Sequence, residues 1–214
     1  MKIIKYNVCL HRLDVHQLEL LRYWRNNNYI SQYMDYKVHI TENMQKEWFN
    51  KINNINNFFF IIEFDDTPLG LINTSNINWE TGVADTGLFV WEEIYINSPV
   101  PVLASLSMLD VFFTLFGLTK VTAKVKNDNV KAINYNASLG FSFVNIFKNT
   151  DFSLYELSAE RYFKHANALR KSAETLYKNS TAIYLNPENK LSSVILDIIN
   201  KAPEMNKQEL KIYI

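Results

Sequence analysis

The sequence predicts a mixed α/β fold, an α+β arrangement in which helices pack on the faces of a mixed sheet. Two hairpin signals stand in the middle of the chain, at residues 65–68 and 78–82. After them, an apolar helix, a strand and an amphipathic helix follow one another over residues 102–139. Hairpins join antiparallel strands, whereas strand–helix alternation joins parallel ones, so the two patterns together indicate a mixed sheet.

The first part of the chain is predicted as one strand followed by helices. Residues 3–10 read as a strand, and residues 15–25 as a helix whose apolar face is formed by Val15, Leu18, Leu21 and Trp24. Three asparagines at 26–28 end that helix, and residues 30–34 form a short helical turn. Thr41 is the N-cap of a further helix that runs to residue 50.

The central strands and helices follow in a regular order. Residues 58–64 and 69–77 are the strands of the first hairpin, and residues 84–91 form the strand after the second hairpin. A helix over 102–116 precedes a strand in which Val121, Ala123 and Val125 alternate with polar residues. Residues 127–129 offer N-cap side chains to the next helix, Gly140 ends it, and strands follow near Phe143 and over 152–157.

The sequence pattern changes after Leu157 from mainly strands to mainly helices. The chain is therefore divided into a body, residues 1–157, and a mostly helical extension, residues 158–214. Ser158 is predicted to cap a helix over 159–178, and a second helix follows Asn186-Pro187. The chain ends in a predicted strand. We expect this extension to pack against the body or to form a homodimer with a second copy of the chain.

Composition excludes several classes of protein. Lys plus Arg and Asp plus Glu each number 22, so no net charge draws the chain to nucleic acid or to an anionic membrane. The single cysteine argues against a disulfide framework and a metal–thiolate site, and no metal-ligand spacing occurs. Neither a signal-peptide core nor a membrane-spanning run is present, so a cytoplasmic protein is expected.

The segment TKVTAKVKNDNVKAINYNASLGF, residues 119–141, is the most informative in the chain. Its strand, polar turn, helix and Leu-Gly-Phe exit, with Asn129, Ala132, Gly140 and Phe141 at their spacing, resemble the acyl-CoA-binding half of GNAT (Gcn5-related) N-acetyltransferases. The similarity extends over residues 3–157. It implies the GNAT fold, acetyl-CoA as acyl donor without a metal, and transfer of the acyl group to an amine.

Within that superfamily, the first helices are similar to bacterial amino-sugar N-acetyltransferases of the pseudaminic acid type. The similarity rests on Trp24-Arg25-Asn26, Met34, Thr41 and Trp48-Phe49. It implies a small-molecule acceptor, a nucleotide-linked amino sugar, bound by Arg25, Asn26 and Met34. Arginine suits a sugar-nucleotide phosphate because its guanidinium donates two parallel hydrogen bonds. Ribosomal-protein N-acetyltransferases have a similar layout, so acetylation of a protein N-terminus stays an alternative.

The resemblance also implies where the donor binds. Backbone N–H groups of Leu88, Phe89 and Val90 are expected to face the thioester and pantetheine, and Asn129 to meet the pantetheine or to orient the end of the opposing strand. Lys126 and Lys131 flank the turn that is expected nearest the adenosine 3′-phosphate. The diphosphate is expected on the amides of Val102, Leu103 and Ala104 and beside Ser105. Candidate bases that take the ammonium proton are Asp85 and Glu92, and Asn136 stands near the leaving sulfur.

Two departures from the family pattern stand against this interpretation. The loop before the helix, Ser98 to Ser105, has no glycine where relatives carry two small residues that let phosphates approach the backbone. Asn136 occupies the position at which many relatives carry a tyrosine that protonates the leaving thiolate. A degenerate, non-catalytic GNAT module is therefore a second alternative.

Overall fold

The predicted mixed α/β fold is confirmed by a computed structural model, which describes residues 1–177 and 180–214. The strands are β1 (Lys2–Lys5), β2 (Val8–Arg12), β3 (Phe58–Phe64), β4 (Thr67–Asn78), β5 (Val83–Val90), β6 (Lys120–Lys126), β7 (Ser142–Ile146), β8 (Phe152–Ser158), β9 (Thr181–Tyr184) and β10 (Leu210–Tyr213). The α-helices are α1 (Leu18–Asn26), α2 (Asn28–Ser31), α3 (Glu42–Ile52), α4 (Glu93–Ile96), α5 (Val100–Thr114), α6 (Val130–Leu139), α7 (Ala159–His165), α8 (Asn167–Tyr177) and α9 (Lys190–Lys201). In these two ranges, no helix has the length and apolar content needed to cross a bilayer.

All ten strands form one sheet, in the order β10-β9-β1-β2-β3-β4-β5-β6-β8-β7. Two neighbouring pairs are parallel, β5 with β6 and β9 with β10, and the others are antiparallel. The ladder between β5 and β6 covers only three residue pairs, from Val83–Lys120 to Asp85–Thr122. The ladder between β4 and β5 continues to Gly70–Val90. The sheet therefore opens between β5 and β6 beyond Asp85.

Helices cover both faces of the sheet. On one face, α5 is mostly apolar and almost entirely buried, and its Phe112 ring packs against Phe58 with centroids 5.2 Å apart. On the other face, α1 and α3 cover a smaller core in which Trp24 stacks on Trp91 at 5.7 Å. The sheet that contains β5 and β6 is thus covered by helices on both faces.

Three predicted elements differ from the structure. The strand predicted over residues 3–10 is a hairpin, because Tyr6 and Asn7 adopt left-handed backbone angles (φ 53° and 61°) that turn the chain between β1 and β2. The helix predicted to begin at Val102 begins at Val100. The helix predicted over 159–178 is interrupted at Ala166, and its last residue, Lys178, lies outside the described residues.

The extension after Leu157 joins the body through its strands and through a buried ionic cluster. Strand β9, which the sequence analysis did not predict, pairs with β1, and β10 pairs with β9. The buried Asp110 carboxylate of α5 accepts hydrogen bonds from Tyr162 at 2.9 Å and from Arg170 at 2.8 Å, both in the extension. It also accepts one from Tyr6 in the body at 2.8 Å. The extension and the body therefore share one sheet and one core.

Candidate functional site

The opening between β5 and β6 is the candidate site, and it begins at the Asp85–Thr122 pair. Trp91 N–H donates to the Leu69 carbonyl of β4 at 2.8 Å. Because N–H groups alternate in direction along a strand, the Phe89 amide also points towards β4, whereas those of Leu88 and Val90 point away from it. The Leu88 and Val90 amides thus face the opening, where β6 no longer pairs with β5.

The prediction that the amides of Leu88, Phe89 and Val90 all face the opening is therefore wrong for Phe89. Its amide lies on the β4 side, and its ring packs beside Trp91, with centroids 6.2 Å apart. An extended ligand that carries amides can replace the missing strand, because Leu88 and Val90 offer donors two residues apart.

Helix α6 follows β6, the strand on the other side of the opening. The Asn129 carboxamide oxygen accepts a hydrogen bond from the Ala132 N–H at 3.1 Å, so Asn129 is the N-cap that the sequence predicts. Lys131, in the first turn, is exposed. The helix ends at Gly140, whose φ of 102° is readily available only to glycine.

The first turn of α5 differs from the prediction of free amides at Val102, Leu103 and Ala104. Leu103 N–H donates to the Pro99 carbonyl at 2.9 Å. Ala104 is the fifth residue of the helix, so its N–H faces the Val100 carbonyl inside the helix. Because α5 starts two residues earlier than predicted, only the Val102 amide of these three remains available.

Tyr135 connects α6 to the first turn of α5. Its hydroxyl donates to the Pro101 carbonyl at 2.7 Å and lies 2.7 Å from the Ser105 hydroxyl. Burial raises the pKa of Tyr135, an effect that the hydrogen bond with Ser105 only partly offsets. The side chain of Ser105, predicted to lie beside a phosphate, is therefore buried against Tyr135. Asn136, the next residue of α6, is half-buried.

The two candidate bases lie at opposite ends of the open half of β5. Asp85 is exposed at the point where the strands separate, and its carboxylate accepts hydrogen bonds from Thr122 at 2.6 Å and Asn76 at 2.8 Å. Glu92 is half-buried at the N-terminus of α4. Within residues 1–177 and 180–214, no three His, Cys, Asp or Glu side chains are grouped closely enough to hold a metal ion.

The three predicted acceptor residues are all engaged within the protein. The Arg25 guanidinium lies 4.6 Å from the centre of the Trp48 ring and donates to the Gln45 carboxamide at 3.0 Å. Burial lowers the pKa of Arg25. The Asn26 carboxamide makes two hydrogen bonds with the Ile40 backbone, at 2.8 and 2.9 Å. Met34 packs against the Trp24–Trp91 core. The side chains of Arg25 and Asn26 are thus held in place by contacts within the protein.

One contact near the opening was missed by the sequence analysis. Asp35, in the loop after α2, pairs with Lys124 of β6 at 2.6 Å. The pair ties the loop between α2 and α3 to the far side of the opening. No local sequence signal marks it, because 89 positions separate the two residues.

The opening therefore combines an unpaired strand edge, two amides on one line and carboxylates at both of its ends. Such an arrangement can hold an extended, amide-containing chain and stabilise a developing negative charge on a carbonyl oxygen. A carboxylate beside it can accept a proton from an attacking amine.

Solved structures with the same fold include N-acetyltransferases. A domain from Methanocaldococcus jannaschii DSM 2661 is 21% identical, with a TM-score of 0.61 over 71% of this chain and 97% of the other. Spermidine N-acetyltransferase from Vibrio cholerae, solved with CoA and spermine, is 20% identical, with a TM-score of 0.64 over 73% of this chain and 98% of the other. A structure described as a putative acetyltransferase is 17% identical, with a TM-score of 0.66 over 80% and 96%.

Sequence comparison gives the family. No curated protein matches the sequence. The family described as acetyltransferase (GNAT) domain matches residues 7–142, which span β2 to the start of β7 and include both strands of the opening. As this match covers more than half of the chain, the protein belongs to the GNAT acetyltransferases, and its predicted class, an N-acetyltransferase, is confirmed.

Proposed function

We propose that this enzyme transfers the acetyl group of acetyl-CoA to the amine of a small acceptor. The observation that carries the proposal is the opening of the sheet beyond the Asp85–Thr122 pair, which leaves the Leu88 and Val90 amides free to hold a pantetheine arm. In the reaction, the amine nitrogen forms a bond to the acetyl carbon and the carbon–sulfur bond breaks. The ammonium gives one proton to a base before it attacks, and the second proton that the nitrogen loses as the amide forms balances the one that the CoA thiolate takes up.

Named residues have distinct roles in this proposal. The Leu88 or Val90 amide polarises the thioester carbonyl, because a preorganised N–H stabilises charge that develops on the oxygen. Asp85 accepts the ammonium proton through water, and Glu92 is the alternative base. Asn136 contacts the sulfur from α6, and Asn129 orients the start of that helix beside the pantetheine. The thiolate leaves without a tyrosine at position 136.

The acceptor class has two candidates. A nucleotide-linked amino sugar is favoured by the sequence resemblance over Trp24–Asn26 and Trp48–Phe49. Against it, Arg25 is held by Trp48 and Gln45 rather than facing a ligand. A cationic polyamine is favoured by charge, because residues 52–119, which include β5, contain no Lys, Arg or His. The same stretch contains seven acidic residues besides Asp110, whose carboxylate is buried and paired with Arg170: Glu63, Asp65, Asp66, Glu80, Asp85, Glu92 and Glu93.

Thiol release from acetyl-CoA tests the proposal. The full chain is incubated with acetyl-CoA and, in separate reactions, with amino sugars linked to UDP or dTDP, with spermidine, and with peptides that carry a free N-terminus. Release with an amino sugar or spermidine supports a small-molecule acceptor, whereas release with peptides alone supports the protein N-terminus. No release with any acceptor, combined with no calorimetric binding of acetyl-CoA at millimolar concentration, identifies a non-catalytic module.

The proposal also covers the compartment, the domain organisation and the oligomeric state of the enzyme. We place it in the cytoplasm, as a domain of residues 1–157 whose extension packs on it. A homodimer is supported by the outer strand β7, where Phe143 and Ile146 are each 57% exposed at an unpaired sheet edge. Light scattering of the purified chain distinguishes a dimer from a monomer, and Phe143→Lys is expected to abolish the dimer.

A further inference from the structure

The first turn of α5 is poor in the backbone donors that bind a diphosphate. Pro99 and Pro101 have no N–H. Val100 N–H donates to the Ser98 hydroxyl at 3.2 Å, and Leu103 N–H donates to Pro99. Among residues 99–103, the Val102 amide alone has no partner within the described parts of the chain. Helix N-termini that bind phosphates do so with several free amides, and this one offers a single amide.

The same turn is packed into the protein. Four of its first five side chains are buried: Val100, Pro101, Leu103 and Ala104. The Tyr135 hydroxyl fixes the Pro101 carbonyl from the side of α6. A phosphate that approached the turn would meet buried apolar side chains rather than exposed backbone.

The charge around this end of β5 is also unfavourable for a diphosphate. The Gly70–Val90 pair places the Asp65–Asp66 turn beside the end of β5, and Glu92 and Glu93 follow that strand directly. Contact between the Phe64 and Tyr95 rings, 6.1 Å apart, holds these two acidic segments together. Negative side chains at this position repel an anionic ligand.

The lysines across the opening do not compensate for these acidic side chains. Lys124 is paired with Asp35 at 2.6 Å and Lys126 with Asp128 at 2.7 Å, so an acidic partner balances each charge. Lys131 is exposed at the start of α6. By contrast, the Leu88 and Val90 amides are well placed for the neutral pantetheine arm, which carries amides and no charge.

We propose that the enzyme recognises its donor by the pantetheine arm and the thioester, and that the nucleotide diphosphate contributes little. Acetyl thioesters of pantetheine or phosphopantetheine, which lack the nucleotide, are then donors nearly as good as acetyl-CoA. The bond changes are those of the proposed reaction, with the thiol of pantetheine released in place of CoA. This inference rests on the proposed function, because it requires the donor to lie between β5 and β6.

Kinetics with three acyl donors measures how much the nucleotide contributes to kcat/KM. The kcat/KM of the full chain is determined for acetyl-CoA, S-acetylphosphopantetheine and S-acetylpantetheine with the best acceptor found. We expect the three values to agree within about tenfold. A value for acetyl-CoA that exceeds both others by more than about tenfold overturns the inference while leaving the proposed function intact.

Equilibrium binding provides a readout that is independent of turnover. Calorimetry compares CoA, pantetheine and adenosine 3′,5′-bisphosphate, which represents the nucleotide end of CoA. We expect CoA and pantetheine to bind with Kd values within about tenfold of each other and the bisphosphate to give no heat. Binding of the bisphosphate as tight as that of CoA overturns the inference. Binding of neither thiol overturns the proposed function, and the inference with it.

Discussion

The Asp85 carboxylate accepts a hydrogen bond from the Thr122 hydroxyl at 2.6 Å, and these two residues form the last pair that joins β5 to β6. The carboxylate thus stands at the point where the sheet begins to open. The carboxylate is held by neighbours on both sides, since Asn76 of β4 donates to its second oxygen.

Exchange of Asp85 for Asn distinguishes a role in proton transfer from a structural role as a hydrogen-bond acceptor. Asp85→Asn retains an oxygen that can accept the Thr122 hydrogen bond but removes the proposed base, so we expect kcat/KM to fall about 10²–10⁴-fold. The matched variant Thr122→Val removes the hydrogen bond and leaves the carboxylate, and its expected loss is under about tenfold. Steady-state kinetics checks both. Unchanged activity in Asp85→Asn transfers the base role to Glu92.

Replacement of Arg25 by Ala is expected to affect stability rather than acceptor binding. The guanidinium loses its contact with Trp48 and leaves the Gln45 carboxamide without a donor, which we expect to cost about 2 kcal/mol in the free energy of unfolding. Arg22→Ala, one turn earlier and paired with the exposed Glu19, is the control and is expected to leave the stability nearly unchanged. Urea unfolding gives both values. A tenfold rise in the KM for a sugar nucleotide, without loss of stability, would contradict this expectation.

Asp110 is expected to hold the extension to the body as one cooperative unit. Asp110→Asn leaves Lys5 and Arg170 without their shared buried carboxylate, so we expect a loss of about 3–5 kcal/mol. Tyr162→Phe removes one hydrogen bond and should cost about 1 kcal/mol. Fluorescence and circular dichroism are followed during urea unfolding. Two separate transitions in the wild-type chain would show that residues 158–214 unfold independently.

Alkaline pH should destabilise the protein through three tyrosines whose hydroxyls are buried. Burial is the main cause that raises the pKa of Tyr6, Tyr135 and Tyr162, and the Asp110 carboxylate adds to it for Tyr6 and Tyr162. Tyrosines in the unfolded chain ionise near pH 10. The unfolded state therefore loses protons that the native state retains, and stability falls as the pH rises above about 10.

Tyrosinate absorbance followed together with circular dichroism checks this expectation. The final increase in absorbance, from the three buried hydroxyls, should coincide with the loss of the dichroism signal. Full ionisation of the native protein would mean that these hydroxyls are accessible to hydroxide.

Much of the fold could be predicted because local signals were strong. The alternation in β6, the Asn129 cap and the Gly140 end are all found where the sequence places them. The β1–β2 turn was missed because Tyr6-Asn7 lacks the glycine that usually marks a two-residue hairpin turn. Strand β9 has only four residues and depends on β1 for pairing, so its own sequence carries too weak a signal.

The site was less predictable because its chemistry depends on which backbone groups are already paired. Pattern alone could not show that the Phe89 amide faces β4, since this follows from the register with β4. Likewise, α5 begins two residues before the predicted start, which places the Leu103 and Ala104 amides inside the helix. The sequence could not show that Arg25 is buried against Trp48, because this contact depends on the packing of α1 on α3. The sequence analysis therefore assigned Arg25 to a ligand.

The pairing of β9 with β1 has a consequence for synthesis of the protein. Ile3 pairs with Ile183, so β1 lacks one of its two neighbours until residue 184 has left the ribosome. Contacts between such distant positions form slowly, because a long loop must close first. During translation, the nascent chain therefore exposes an unpaired sheet edge to which chaperones, or another nascent chain, can bind.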